Sequence, residues 1–193
     1  MVTVPLDING KRYDLDVFED VYLPLEDSFL VAKHIKKVDG KNVLDIGCGS
    51  GILSVISAAR GANVTAVDIN EIALHNTNEN AKKHKLKIKV KKSNLFSGVR
   101  KKFDLILFNP PYVPEDEQDR YLSENMKLAL TSGLQGSGLI KKFLKEFEKY
   151  LKPDGQVLMI ISSDNNLKLK GWKEIDSASF FFEKIMLMKY KNK

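Results

Sequence analysis

Two short segments carry residues whose types and spacing suit chemistry. Residues 43–51 read Val-Leu-Asp-Ile-Gly-Cys-Gly-Ser-Gly, and residues 105–112 read Leu-Ile-Leu-Phe-Asn-Pro-Pro-Tyr. In the first, Gly47, Gly49 and Gly51 allow a tight turn and a close approach to a ligand, with no Cβ in the way. Backbone N–H groups at a strand-to-helix turn are expected to form a pocket for a carboxylate or hydroxyl. The spacing is G-x-G-x-G, not the G-x-G-x-x-G that holds a dinucleotide pyrophosphate. It therefore suits a nucleoside ligand without phosphates; the plainer alternative is an ordinary turn. In the second segment an apolar run ends at Asn109, and Pro110 and Pro111 then fix the turn and remove N–H donors. What remains is rich in acceptors, the Asn109 side-chain oxygen and the Pro110 carbonyl. Two acceptors suit a substrate NH₂, and Tyr112 offers a flat face for a planar amide or base. A plain Asn-Pro turn is the alternative.

Strands are needed to place these segments together. Val43–Ile46 and Phe103–Phe108 are apolar runs with one acid each, as expected of central parallel strands. A helix should follow the glycine loop, with Ile52, Leu53, Val55, Ile56 and Ala59 on its apolar side and Gly61 beyond its end. The next strand, Asn63–Val67, ends at Asp68, where a carboxylate can accept hydrogen bonds from ribose hydroxyls; the alternative is a helix-capping or solvated acid. Asn70 reads as the N-cap of a helix with Glu71 in its first turn. Leu86, Ile88 and Val90 alternate with lysines, predicting a half-exposed strand, and Asn94 and Leu95 follow it. Asn94 is placed to pair with an exocyclic amine or is a loop residue.

The rest of the chain is simple in organisation. Residues 4–18 alternate around Asn9-Gly10, a strong hairpin signal. Asp27 is expected to cap a first helix with Leu30, Val31 and Ile35 inward. Leu139, Ile140, Phe143, Leu144, Phe147 and Leu151 predict an amphipathic helix ending before Pro153-Asp154-Gly155. Gln156–Ile161 reads as a further strand and residues 178–190 as a closing antiparallel pair. Residues 112–138 lack clear periodicity, and Glu115, Asp116, Glu117 and Asp119 suggest a loop over the site.

With 193 residues, 43% of them hydrophobic, the chain is long enough for one sizeable core. The expected division is one domain over 1–193, with a hairpin extension at 1–20 and the core at 21–193. No run approaches the roughly twenty apolar residues of a membrane span, and the N-terminus lacks a signal pattern, so no membrane association and a cytoplasmic location are expected. The single cysteine, Cys48, excludes an internal disulfide and a cysteine-rich metal site, and reads as a packing residue. His34, His75 and His84 lack metal-ligand spacing, so no metal is expected. The net charge is +6 and only four of the 31 basic residues are arginine. The cluster Lys82, Lys83, Lys85, Lys87, Lys89, Lys91 and Lys92 reads as a solvated edge that discourages strand association; attraction to an acidic partner or RNA is the alternative.

The glycine loop, the strand-tip Asp68 and the Asn109-Pro110-Pro111-Tyr112 tetrad together resemble the class I S-adenosylmethionine-dependent methyltransferases. The tetrad is similar to that of the N-methylating branch, and within it to the HemK/PrmC-like protein-glutamine methyltransferases in their short archaeal and eukaryotic form. Val21-Tyr22-Leu23-Pro24-Leu25-Glu26-Asp27-Ser28, Leu130–Gly138 with Gly133 and Gly136, and Phe180-Phe181-Phe182-Glu183 with Met186–Tyr190 are similar to further segments of that form.

The resemblance implies an α/β fold with a seven-stranded, mostly parallel Rossmann-like sheet, helices on both faces and an N-terminal β-hairpin. It implies S-adenosylmethionine as cofactor, lined by Ser28, Asp45, Gly47, Gly49, Gly51, Asp68, Asn94, Leu95 and Asn109. Asn109, Pro110 and Tyr112 would be catalytic, and Asn109, Pro110, Pro111 and Tyr112 would hold the substrate. The implied acceptor is the glutamine of a Gly-Gly-Gln tripeptide in a peptide-chain release factor, with a small zinc-binding activator as partner. Asn94 departs from the aspartate of many relatives. The helical substrate-recognition domain of bacterial members has no counterpart in the roughly forty residues before the glycine loop. The alternatives are an adenine or guanine amine methyltransferase on RNA or DNA, which needs a flipped base, a protein lysine methyltransferase, and a non-catalytic cofactor-binding scaffold.

Overall fold

Alternation at the N-terminus produces a two-stranded hairpin, β1 (Val2–Ile8) and β2 (Lys11–Val17), closed by Asn9 and Gly10 at φ 55° and 76°. Both turn residues are left-handed, the geometry that matches the strands' own twist. Tyr13, Leu15 and Val17 face inward. A computed structural model describes residues 1–112, 123, 126–127, 137–180 and 183–192 of the chain. The acids Glu115, Asp116, Glu117 and Asp119, the segment Leu130–Gly136 and the Phe181-Phe182 pair lie outside the described residues.

The core is a seven-stranded sheet. Its strands are β3 (Asn42–Ile46), β4 (Asn63–Asp68), β5 (Ile88–Lys92), β6 (Phe103–Phe108), β7 (Leu151–Ser162), β8 (Lys173–Phe180) and β9 (Glu183–Lys191), in the spatial order β5-β4-β3-β6-β7-β9-β8. Strands β3 to β7 run parallel, and β9 and β8 close the sheet antiparallel. Four helices accompany the sheet among the described residues: α1 (Glu26–Ala32), α2 (Ile52–Ala59), α3 (Glu71–Lys83) and α4 (Gly138–Glu146).

Side-chain alternation shows which face each helix covers. Asp45 pairs in register with Leu107, and Ile46 with Phe108, so the members of each pair share a face. Asp45 accepts a hydrogen bond from Ser54 of α2. On the other face Phe108 stacks on Phe143 of α4, with ring centroids 4.6 Å apart. Helices therefore cover both faces, and the fully buried Phe103, Leu107 and Phe108 lie between them. The chain leaves β3 toward β4 on one side and returns through β6 on the other, so the strand order reverses between β3 and β6. Open α/β sheets bind ligands at the carboxyl ends of the strands flanking such a reversal.

Several local expectations need correction. Leu151 is not the last residue of a helix but the first of β7, where it pairs with Phe103. Helix α4 gives way to a 3₁₀ turn at Phe147–Tyr150, and Pro153-Asp154-Gly155 sits inside β7 as an irregularity between the Leu151 and Gln156 pairings. The closing pair begins at Lys173, earlier than residue 178, because its exposed polar residues hide the strand period. Asp27 does not cap α1: the cap is Leu25, which makes no side-chain bond, and Asp27 is buried in the first turn. Strand β5 does lie at the sheet edge, with Lys89, Lys91 and Lys92 exposed.

Helix α3 joins the hairpin to the core through buried amides. Asn76 and Asn80 accept from the backbone N–H groups of Phe18 and Asp16, and both Nδ2 groups donate to the Asp16 carbonyl. Asn80 also donates to the Ser50 carbonyl, and Thr77 to the Gly49 carbonyl. The hairpin and the glycine loop thus share one helix face.

Candidate active site

Strand register carries the two functional segments to one place. Gly47 follows Ile46 at the end of β3 and Asn109 follows Phe108 at the end of the adjacent β6. Between and around them opens a cavity of about 450 Å³, within the range of small-molecule sites. Ser28, Asp45, Gly47, Gly49, Asp68, Asn94, Leu95, Asn109 and Pro111 border it. Gly51, Pro110 and Tyr112 do not. Gly51 faces α3, where an added Cβ would lie 3.0 Å from Thr77 Oγ1, so its role is packing. Pro110 and Tyr112 are buried. Tyr112 turns its hydroxyl to Asp27 at 3.3 Å, and its carbonyl accepts from Asn165 at 2.9 Å, so its ring does not form an open platform beside the cavity.

The glycine loop works differently from its sequence expectation. The N–H groups of Gly47 and Cys48 both donate to the Val67 carbonyl, Gly51 donates to the Cys48 carbonyl, and Gly49 donates to Asp68 Oδ2. These donors are used within the chain, because parallel pairing of β3 with β4 continues into the turn. What the loop offers a ligand is room: a Cβ on Gly47 or Gly49 would meet nothing within 4 Å. The charged groups beside the loop are the acids Asp45 and Asp68. Asp68 accepts from Gly49 and from the Asn70 N–H at 2.9 Å, and burial raises its carboxyl above the ordinary value despite these bonds. Burial likewise pushes Asp45 up to about 7, opposed by the Ser54 hydroxyl at 2.6 Å and reinforced by the Asp68 charge. Cys48 is buried, its sulfur accepts from Thr77, and burial raises its thiol, which fits a packing residue.

The other half of the cavity centres on Asn109. Its Nδ2 donates to Asp27 Oδ2 at 3.0 Å and to Ser28 Oγ at 3.3 Å. Its Oδ1 is buried and has no hydrogen-bond partner among the described residues. A buried acceptor left alone costs about 1–3 kcal/mol, so an orphaned oxygen at a cavity marks a place for a donor from outside the chain.

Sequence reasoning missed several residues here. Tyr22 borders the cavity and donates to Asp27 at 3.1 Å. Ile69, an exposed apolar residue directly after the strand-tip Asp68, borders it too, as does Lys142 of α4. An apolar residue immediately after a strand-tip acid was the available signal for Ile69; nothing local marked Lys142. No group of metal-ligating side chains occurs among the described residues.

The site's architecture has counterparts in known proteins. A protein of Methanocaldococcus jannaschii, provisionally named a protein N5-glutamine methyltransferase, is 38% identical over 193 residues, covering 95% of this chain and 96% of its own. The release factor glutamine methyltransferase of Streptococcus pneumoniae is 36% identical over 126 residues, covering 62% of this chain; the match spans 45% of that longer protein. Among solved structures, a 16S rRNA N2 G1207 methyltransferase of T. thermophilus, in complex with AdoMet and guanosine, superposes with a TM-score of 0.67 at 17% identity. It covers all of this chain and 50% of that one, which shows a shared fold. Residues 26–138, from the first turn of α1 to the start of α4, match the family Methyltransferase small domain, and the chain belongs to that family.

Proposed function

We propose that this enzyme transfers a methyl group from S-adenosylmethionine to the side-chain amide nitrogen of a glutamine, most specifically that of the Gly-Gly-Gln tripeptide in a peptide-chain release factor. The observation that carries the reading is the orphaned Asn109 Oδ1, a buried acceptor at the end of β6 beside the cavity. A primary amide is planar and donates two hydrogens, and the unpaired Asn109 Oδ1 is an acceptor for one of them. The full-length relative from M. jannaschii and the S. pneumoniae enzyme both carry glutamine methyltransferase names, which supports the choice of acceptor.

The residues present fit the cofactor. Gly47 and Gly49 leave open space at their α-carbons, and Asp45 and Asp68 suit a cationic nucleoside with ribose hydroxyls. Ser28 would close over the methionine end, and Asn94 and Leu95 would border the adenine. When bound, the cofactor supplies an electrophilic methyl group on a positively charged sulfur. Asn109 Oδ1 would hold an amide N–H and so fix the angle at which the nitrogen is presented, and alignment of this kind supplies much of a barrier reduction. An amide nitrogen attacks poorly because its lone pair is delocalised. As the N–C bond forms, the S–C bond breaks and the nitrogen becomes positive, so its hydrogen bond to Asn109 Oδ1 would strengthen. One of the nitrogen's own two protons then leaves to water, and no residue is required as a base before attack.

Flanking glycines would let the tripeptide enter a narrow cleft that a Cβ would block. A small zinc-binding activator is the proposed partner in substrate recognition, and the cytoplasm the proposed location. No helix among the described residues is long and apolar enough to cross a membrane. The test is mass spectrometry of a release factor incubated with enzyme and S-adenosylmethionine, with and without the activator. Gain of one methyl group on the tripeptide glutamine, lost when that glutamine is replaced by alanine, is the expected result. Label entering RNA or DNA alone would assign the enzyme to nucleobase amines instead.

A further inference from the structure

An asparagine side chain is nearly symmetric in shape, with an oxygen and an NH₂ at equivalent positions. Either can face a substrate, and the two choices recognise opposite chemistry. For Asn109 the decision rests with a residue 82 positions earlier. The Asp27 carboxylate is buried, with 4% of its surface exposed, and its oxygens accept only. Oδ1 accepts from the Ser28 N–H at 2.6 Å and Oγ at 3.2 Å; Oδ2 accepts from Tyr22, Asn109 and Tyr112. Burial, and then the negative charge of Asp27, push both phenols well above their ordinary range, so they remain donors. Rotating the Asn109 amide by half a turn would set Oδ1 against Asp27 Oδ2, two acceptors in hydrogen-bond contact inside the protein. The cost of that repulsion, added to the lost bond, holds Nδ2 on Asp27 and leaves Oδ1 for the substrate.

We propose that Asp27 is a positioning residue that locks the Asn109 amide with its oxygen toward the substrate, and that this lock makes the enzyme select an amide NH₂ over an isosteric carboxylate, glutamine over glutamate. The proposal rests on the reading of Asn109 as the holder of the acceptor amide. Asp27 itself does not border the cavity, so it acts through Asn109. In Asp27→Asn the side-chain oxygen can stay on the Ser28 N–H while the NH₂ takes the place of Oδ2, where it donates to the oxygen of a flipped Asn109 and to a tyrosine hydroxyl.

The experiment compares wild type with Asp27→Asn using a Gly-Gly-Gln peptide as substrate and its Gly-Gly-Glu analogue as inhibitor, with S-adenosylmethionine affinity measured by calorimetry. The variant should bind cofactor like wild type, lose about tenfold to a hundredfold in kcat, as misplacement of a positioned group does, and be inhibited by the glutamate peptide at concentrations that leave wild type unaffected. Unchanged kcat and unchanged glutamine-over-glutamate selectivity, with cofactor binding intact, would overturn the proposal. A second measurement requires no change at Asp27. In wild type labelled with ¹⁵N-asparagine, the Asn109 side-chain NH₂ signal, assigned by its loss in Asn109→Asp, should be protected from solvent exchange. Exchange at the rate of surface asparagines would overturn the lock even if Asp27→Asn fails to fold. Failure of wild type to methylate the glutamine peptide would instead overturn the proposed acceptor, leaving the amide signal to decide the lock.

Discussion

Ile46 of β3 and Phe108 of β6 are register partners in the parallel sheet, 62 residues apart in sequence. The residues that follow them, Gly47 and Asn109, therefore stand side by side at the carboxyl edge. One begins the turn with room for a nucleoside and the other begins the turn rich in acceptors. On the proposed reading, that single pairing would set the methyl donor beside the acceptor.

Asn109→Ala removes the acceptor whose contribution grows as the nitrogen becomes positive. Methyl transfer should fall by about a hundredfold to a thousandfold, the scale for loss of one preorganised electrostatic partner. S-adenosylmethionine affinity should stay near wild type. Single-turnover kinetics with calorimetric titration separates the two effects, and near-normal turnover would reduce the proline turn to architecture.

Asp68→Ala should weaken S-adenosylmethionine binding by about 1.5–3 kcal/mol, the range for a hydrogen bond to a charged group. Because Asp68 also accepts from the Gly49 and Asn70 N–H groups, some folding stability should be lost as well, about 1 kcal/mol by the usual worth of such bonds. Titration calorimetry and urea unfolding give the two numbers, and equal cofactor affinity would remove Asp68 from the ribose.

Asp45 carries a pH dependence with a defined sign. Burial raises its carboxyl to about 7 in the fold, from the ordinary aspartate value of 3.8. The native state then holds a proton that the unfolded chain releases, so stability falls as pH rises between those values. Asp45→Asn should match wild type near pH 4 and exceed it near pH 8 by about 2–4 kcal/mol, measured by urea unfolding. A cationic cofactor favours the ionised acid, so wild-type affinity for S-adenosylmethionine should rise with pH from 6 to 7 and flatten above it. In Asp45→Asn that slope should vanish; a slope equal to wild type would place the titration elsewhere.

Asn80→Ala tests the join between hairpin and core. It leaves the Asp16 N–H and the Asp16 and Ser50 carbonyls without the Asn80 amide. Loss of stability of about 2–4 kcal/mol is expected for a broken buried network. Hydrogen exchange should show deprotection of β2 together with the glycine loop, since both meet on α3.

What the sequence by itself determined is local. Apolar runs located β3, β4 and β6, the Asn9-Gly10 pair located the hairpin, and Asn70 located the start of α3, where its side chain accepts from Ile72. Each is a property of a few consecutive residues, set by backbone sterics and by the burial period of a strand or helix. The tertiary structure decided what depends on distant partners. Asp27 looks like a helix cap in sequence because caps are acids near helix starts; only the approach of β6 brings Asn109 and Tyr112 onto it. The polar Asn76, Thr77 and Asn80 look like a solvated helix face, yet all three are buried, because the hairpin edge and the glycine loop supply their hydrogen bonds. The loop N–H groups look free for a ligand until β4 arrives with the Val67 carbonyl and the Asp68 carboxylate. Sequence period reports whether a side chain is buried, whereas the identity of its partner is fixed by strand order, and strand order is a property of the whole chain.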